Sequence, residues 1–246
     1  MKEFIAPHKI EVANRSKEEK RIDYLNLTEG YFSGSKKFDT LSEEIESAIE
    51  TTVTDEKNIM TEISEPVIFI SNHPRLDLSL SIPADKIQNV KGGNSFGFDR
   101  FNYPLVRQLT LKKLLKRPFQ TVSLDNGWRE AMDECWHIII TRGANNRFNE
   151  IIEKHTPGNS IVIYPEGKST GKAEMLPFKS GFLHIARALN FQKIILGVSS
   201  PILSVDGNNS MSIIESIDMP PSNVDSQKFI ENSHEKILSE LKRTHK

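Results

Sequence analysis

The sequence predicts an α/β fold, a layered sheet flanked by helices with a partly helical N-terminal extension, on three observations. The runs VIFI at 67–70 and IVIY at 161–164 are short, continuous and apolar, as strands buried on both faces are. Segments with apolar residues at helical spacing alternate with them along the chain. The chain has 246 residues, 37% hydrophobic and 26% charged, ample for one sizeable core and too apolar for a disordered protein. Mean hydropathy is -0.42, and no apolar run approaches the roughly 20 residues that a membrane-spanning helix needs.

In order, residues 1–60 carry nine Lys or Arg against thirteen Asp or Glu, with a helical pattern at Leu41, Ile45 and Ile49. They read as an N-terminal accessory region ahead of a single domain over 61–246. After the strand at 67–70, helix-like residues at 104–116 precede a strand at 121–124. A helical stretch follows as far as 155, and then comes the strand at 161–164. The helix expected over 178–190 places Phe178, Phe182, Ile185, Ala186 and Leu189 on one face. A strand at 194–198 follows it. Pro220 and Pro221 break the chain, and Ile230, Ile237, Leu238 and Leu241 then mark a C-terminal amphipathic helix.

Charge distribution says more than the net value of -1. Residues 86–117 hold eight basic side chains and one acid, Asp99, so a negative partner is expected on that face. Within it, 103–119 interleaves leucines with Arg107, Lys112, Lys113, Lys116 and Arg117, a pattern suited to an anionic membrane surface. The same charge could receive coenzyme A phosphates or an acidic carrier protein, and the structural alternative is a core helix with a solvated basic face. No nucleic-acid-binding module surrounds it. The only cysteine, Cys135, cannot form an internal disulfide, and the N-terminal residues lack the apolar block of a secretory signal. A cytoplasmic protein, peripheral on the inner face of the membrane, is the expectation.

Two constellations can carry chemistry. Ser71-Asn72-His73-Pro74-Arg75-Leu76-Asp77 directly follows the first strand, and ligands of α/β sheets sit at the carboxyl ends of strands. An Asp77 carboxylate accepting from one imidazole nitrogen of His73 would orient the ring and stabilise its charged form. The other nitrogen would then be left to take a proton from a hydroxyl or amine. The alternative is a structural pair at a helix start. The second constellation, Tyr164-Pro165-Glu166-Gly167-Lys168-Ser169-Thr170, follows the strand at 161–164 and precedes Phe178-Lys179-Ser180-Gly181. It offers a carboxylate, a cation and hydroxyls to a polar head group, or else is a plain turn with a solvated lysine. It is not a P-loop, because Val162 stands where the first glycine is required. No group of histidines and carboxylates has metal-ligand spacing, so His137, His155, His184 and His234 receive no role.

These blocks, in this order, resemble the glycerolipid acyltransferase family, whose best-known members act on 1-acylglycerol-3-phosphate. Asn72, His73 and Asp77 match the family's Asn-His-x4-Asp block with one intervening residue fewer. Pro165, Glu166 and Gly167 match its Pro-Glu-Gly block, and Phe178, Lys179 and Gly181 its Phe-Lys-x-Gly block. The resemblance implies a general base at His73, an orienting Asp77 and an acceptor site around Asn72, Glu166, Gly167, Lys168 and Lys179. It also implies an acyl-CoA or acyl-carrier-protein co-substrate, a lysolipid or lipid-like acceptor, no bound cofactor and no metal.

Two family arginines associated with the acceptor phosphate are replaced by Asn126 and Ser169, so either Lys168 and a relocated arginine such as Arg129 substitute for them or the acceptor is not a simple glycerol phosphate. Gly197 stands in the last strand where the family usually has proline. No serine sits in a nucleophile-elbow sequence, so direct transfer without a covalent acyl-enzyme is expected. The competing readings are an inactive relative that binds acyl chains, and an acyl-thioester hydrolase.

Overall fold

β-Branched and aliphatic runs build the centre of the protein, seen in a computed structural model. It describes residues 51–76, 107, 111–113, 115–124, 137–140, 147–168, 175–203, 209–222 and 224–244, with 16, 19, 26, 43 and 44 as single positions. The strands are β1 (Thr51–Thr54), β2 (Ile68–Ser71), β3 (Arg75–Leu76), β4 (Phe119–Leu124), β5 (His137–Ile140), β6 (Ser160–Ile163), β7 (Lys193–Ser199), β8 (Ile202–Leu203) and β9 (Asn209–Asp218). The helices are α1 (Ile59–Glu62), α2 (Arg147–Lys154), α3 (Gly181–Ala188) and α4 (Ser226–Thr244). Residues 107, 111–113 and 115 are also helical, and Lys116 ends that turn at a left-handed φ of 50°.

Seven strands form one sheet in the order β1-β9-β7-β2-β6-β4-β5, and β3 pairs with β8 in a separate two-stranded ribbon. From β7 to β5 all neighbours are parallel, whereas β9 runs antiparallel to β7 and carries β1 parallel at its far side. Both sheet faces are covered, which is why the central strands read as unbroken apolar runs rather than alternating ones. Ile68, Ile70, Ile161, Ile194 and Leu196 face α2, α3 and α4. Val67, Phe69, Val162 and Ile195 face Leu111, Leu115 and α1. The chain after β2 thus leads to one face and the chain after β6 to the other.

Several expectations are corrected here. The stretch read as helical up to 155 contains β5, whose buried Ile138, Ile139 and Ile140 suit a strand between two covering layers. The segment set apart as accessory supplies β1 and the first half of α1, so its last ten residues are built into the sheet domain. Glu43 and Glu44 are helical, within the pattern at Leu41, Ile45 and Ile49. The basic stretch spends its apolar side on the core: Leu111, Leu115 and Phe119 are buried, so those three side chains are not presented to a bilayer. Arg117 donates to the carbonyls of Met60, Ile63 and Glu65 at 3.0, 2.5 and 3.0 Å, fixing the end of α1 whose start is held by the Asp55 carboxylate. Among the described residues no helix is long and apolar enough to cross a membrane.

One glycine is demanded by packing. At Gly197 a Cβ would lie 2.3 Å from Phe69 Cζ, and the pairing of β7 with β9 shifts register between Leu196 and Gly197. A bare backbone there lets the Phe69 ring lie flat against β7.

Candidate active site

β2 and β6 are parallel neighbours, so the loops that leave their carboxyl ends lie side by side and bring residues 72–74 against 164–168. Asn72 is 3% exposed and its side-chain amide is committed to β7: Nδ2 donates to the Ser199 carbonyl at 3.1 Å and Oδ1 accepts from the Ser199 N–H at 2.9 Å. Expected at the acceptor, Asn72 instead ties the end of β2 to the end of β7.

The His73 main-chain N–H donates to Glu166 Oε1 at 2.5 Å, and the second Glu166 oxygen accepts from the Leu176 N–H at 2.7 Å. Glu166 is 3% exposed, and burial holds its carboxyl above the ordinary value while the two N–H donors favour the charged form. This carboxylate braces two loops. The Gly167 N–H closes a turn onto the Tyr164 carbonyl at 2.9 Å, and its φ of 73° suits glycine. The Lys179 N–H donates to the Pro165 carbonyl at 3.0 Å, and a Cβ at Gly167 would meet Lys179 Nζ at 3.0 Å. Lys179 therefore folds over the turn, and Lys168 follows it at the surface.

The His73 imidazole packs on the Tyr164 ring with centroids 4.9 Å apart, and its Nδ1 lies 2.9 Å from the Pro74 carbonyl oxygen. A carbonyl only accepts, so Nδ1 carries the proton and Nε2 the lone pair. Burial first, and the charge of Arg107 second, lower the His73 pKa to about 4, so the ring is neutral at physiological pH. A neutral imidazole with a defined tautomer can accept a proton from an incoming hydroxyl.

The structure thus brings together His73, Glu166, Gly167 and Lys179, with Asn72 as a clamp beneath them and Lys168 beside them. Asp77 and Arg129 lie outside the described residues. Sequence reasoning placed Arg107 in the basic stretch facing an anionic partner and Tyr164 at the head of the second constellation, gave His137 no role, and did not bring the three together. Arg107 is 4% exposed, stands over the Tyr164 ring at 5.3 Å and contacts His137 Nε2 through Nη2 at 3.0 Å. The signal was present: Arg107, Leu111 and Leu115 recur every fourth residue, which puts the arginine in the buried stripe of its helix.

Polar groups gathered at the carboxyl ends of adjacent central strands, where the chain departs to opposite faces, make this end of the sheet the candidate ligand-binding site of an α/β fold. The family model described as Acyltransferase matches residues 111–205, a span that holds the 164–168 and 178–181 blocks and begins downstream of His73. Among solved structures, the chain is similar to the 1-acyl-sn-glycerophosphate acyltransferase PlsC from Thermotoga maritima, at 13% identity and a TM-score of 0.57, over 93% of this chain and 97% of that one. No curated protein matches it. Residues 111–205 thus match an Acyltransferase model, and the fold over most of the chain is the one seen in PlsC.

Proposed function

We propose that this protein is an acyltransferase that moves a fatty acyl group from acyl-CoA or acyl-carrier protein to the hydroxyl of a lysophospholipid or related lipid-like acceptor. The observation that carries the reading is the His73 ring, neutral and with Nδ1 committed to Pro74, at the carboxyl ends of β2 and β6. The PlsC likeness supports a lysolipid acceptor, since that protein is described as acting on 1-acyl-sn-glycerophosphate.

In this mechanism His73 Nε2 takes the proton of the acceptor hydroxyl as its oxygen attacks the thioester carbonyl. The C–O bond forms, the carbonyl oxygen becomes an oxyanion, and its collapse breaks the C–S bond. The thiolate leaves with the proton that His73 held, so the enzyme returns to its starting state. Asp77 is the carboxylate expected to support the imidazolium. Lys179 and Lys168 supply positive charge beside the turn for a phosphate on either substrate, and Arg129 is the candidate for the place of the family arginines. Attachment to an anionic surface through 103–119 would rest on Lys112, Lys113 and Lys116, because Leu111 and Leu115 are buried in the core.

The test follows products by mass spectrometry. Wild type and His73→Ala are offered long-chain acyl-CoA or acyl-carrier protein with lysolipids that do or do not carry phosphate. Transfer by wild type that falls by roughly 10²–10⁴-fold in the variant supports the base assignment. Thioester cleavage that ignores every acceptor would make the protein a hydrolase instead.

A further inference from the structure

A buried arginine is costly unless it is held, and among the described residues Arg107 meets both Tyr164 and His137. Its guanidinium lies over Tyr164 at 5.3 Å, and its Nη2 donates to His137 Nε2 at 3.0 Å. An arginine does not give up its proton, so His137 must present a lone pair there and stay neutral. The result is a single fixed cation rather than two titrating ones. The His73 ring packs on the same tyrosine at 4.9 Å. The two centroid distances laid end to end therefore place imidazole and guanidinium no more than about 10 Å apart.

The groups that face His73 come from several elements. Arg107 belongs to the helical segment, and Tyr164 and Glu166 follow β6. Arg75 is two residues on in β3, and Lys179 covers the neighbouring turn. Glu166, bound to the His73 N–H, is the one acid among these described groups, and Asp77 lies outside them. Burial and the Arg107 charge are, in that order, what lower the His73 pKa. At the available distance, with an effective dielectric near 20, a unit charge is worth about one pH unit to an imidazole.

We propose that Arg107 is a positioning residue of the acyl transfer: a fixed cation, locked by His137 and laid on Tyr164, whose charge extends to lower pH the range over which His73 stays unprotonated and its Nε2 can take the proton of the acceptor hydroxyl. This rests on the reading of His73 as the base. The charge does more than fill space, and a neutral side chain of the same length would not replace it.

The test is an NMR titration of the full chain labelled in histidine, with the His73 signal assigned through His73→Gln, alongside the pH dependence of kcat/KM. In folded Arg107→Met the His73 midpoint is expected to rise by about one unit, with the acid limb of kcat/KM rising in step, while Arg107→Lys stays near wild type. Arg107→Gln keeps an N–H for His137 and carries the same expectation if the Met variant does not fold. An unmoved His73 midpoint in either neutral variant overturns the proposal, as does a Lys variant that behaves like Met. Full activity in His73→Gln would instead sink the base reading, and the titration shift would remain as a separate result.

Discussion

Glu166→Gln separates bracing from substrate contact. In the wild type both carboxylate oxygens accept main-chain N–H groups, from His73 at 2.5 Å and Leu176 at 2.7 Å, in a site that is 3% exposed. An amide keeps the shape but has one acceptor oxygen, so its NH2 must face one of those N–H groups, donor against donor. A hydrogen bond to a charged group contributes about 1.5–3 kcal/mol, and a buried donor left unmatched costs on the order of 1–3 kcal/mol. Removing a buried anion, whose carboxyl is already held above its ordinary value, returns part of this. A net loss of about 2 kcal/mol is expected, which for a chain of this size lowers Tm by about 4–8 °C. The His73 main chain loses its anchor at the same time, and a 1 Å misplacement of a reacting group costs roughly 10²-fold in rate. Urea denaturation and steady-state kinetics measure both. If the variant keeps its stability and kcat and shows only a raised KM for the acceptor, Glu166 holds substrate and the bracing account is wrong.

Three further outcomes are expected. His73 has a lower pKa folded, about 4, than its ordinary value of 6.5, so the unfolded chain binds more protons between those values. Its contribution to stability is therefore complete above about pH 6.5 and is lost as pH falls towards 4. The difference amounts to about 3 kcal/mol, read as a steeper loss of denaturation midpoint in wild type than in His73→Gln. Glu166, raised in the fold, acts with the opposite sign and is common to both proteins. Gly197→Ala puts a methyl against Phe69 and should cost about 1–3 kcal/mol, with most of that recovered when Phe69→Leu is added; an additive double mutant would refute the contact. Arg117→Met should lower stability by about 2 kcal/mol through the released carbonyls of Met60, Ile63 and Glu65. It should leave kcat unchanged, since those carbonyls lie near the amino ends of the strands.

The core of the fold was legible because the strands at the centre are buried on both faces, a condition that leaves an unmistakable apolar run at 68–70, 161–163 and 194–198. Strands away from the centre of the sheet leave a fainter mark. β1 is a Thr-rich four-residue strand with exposed positions, and β9 alternates along much of its length, so neither stood out from its surroundings. β5 was hidden by position, since three consecutive isoleucines after two uncharacteristic segments fit a helix as readily as a strand by periodicity. At the site, residue types were readable and their main-chain partners were not. Asn72 and Glu166 carry groups that suit a ligand, and only coordinates reveal that Ser199, His73 and Leu176 occupy them. Arg107 was masked by company: among so many basic residues in a row, this buried one differs only by its register with Leu111 and Leu115.

The bonds that seat the histidine span long stretches of chain. Glu166 reaches His73 across 93 residues and Ser199 reaches Asn72 across 127. Such closures are late events in folding, because the intervening loop entropy must be overcome before they contribute. A chain still emerging from the ribosome that stops short of β7 has β2, its histidine and even the Pro-Glu-Gly turn, yet has no partner for Asn72. The clamp on Asn72, next to the proposed base His73, therefore forms only once β7 has docked, and a chain that stops before β7 lacks it.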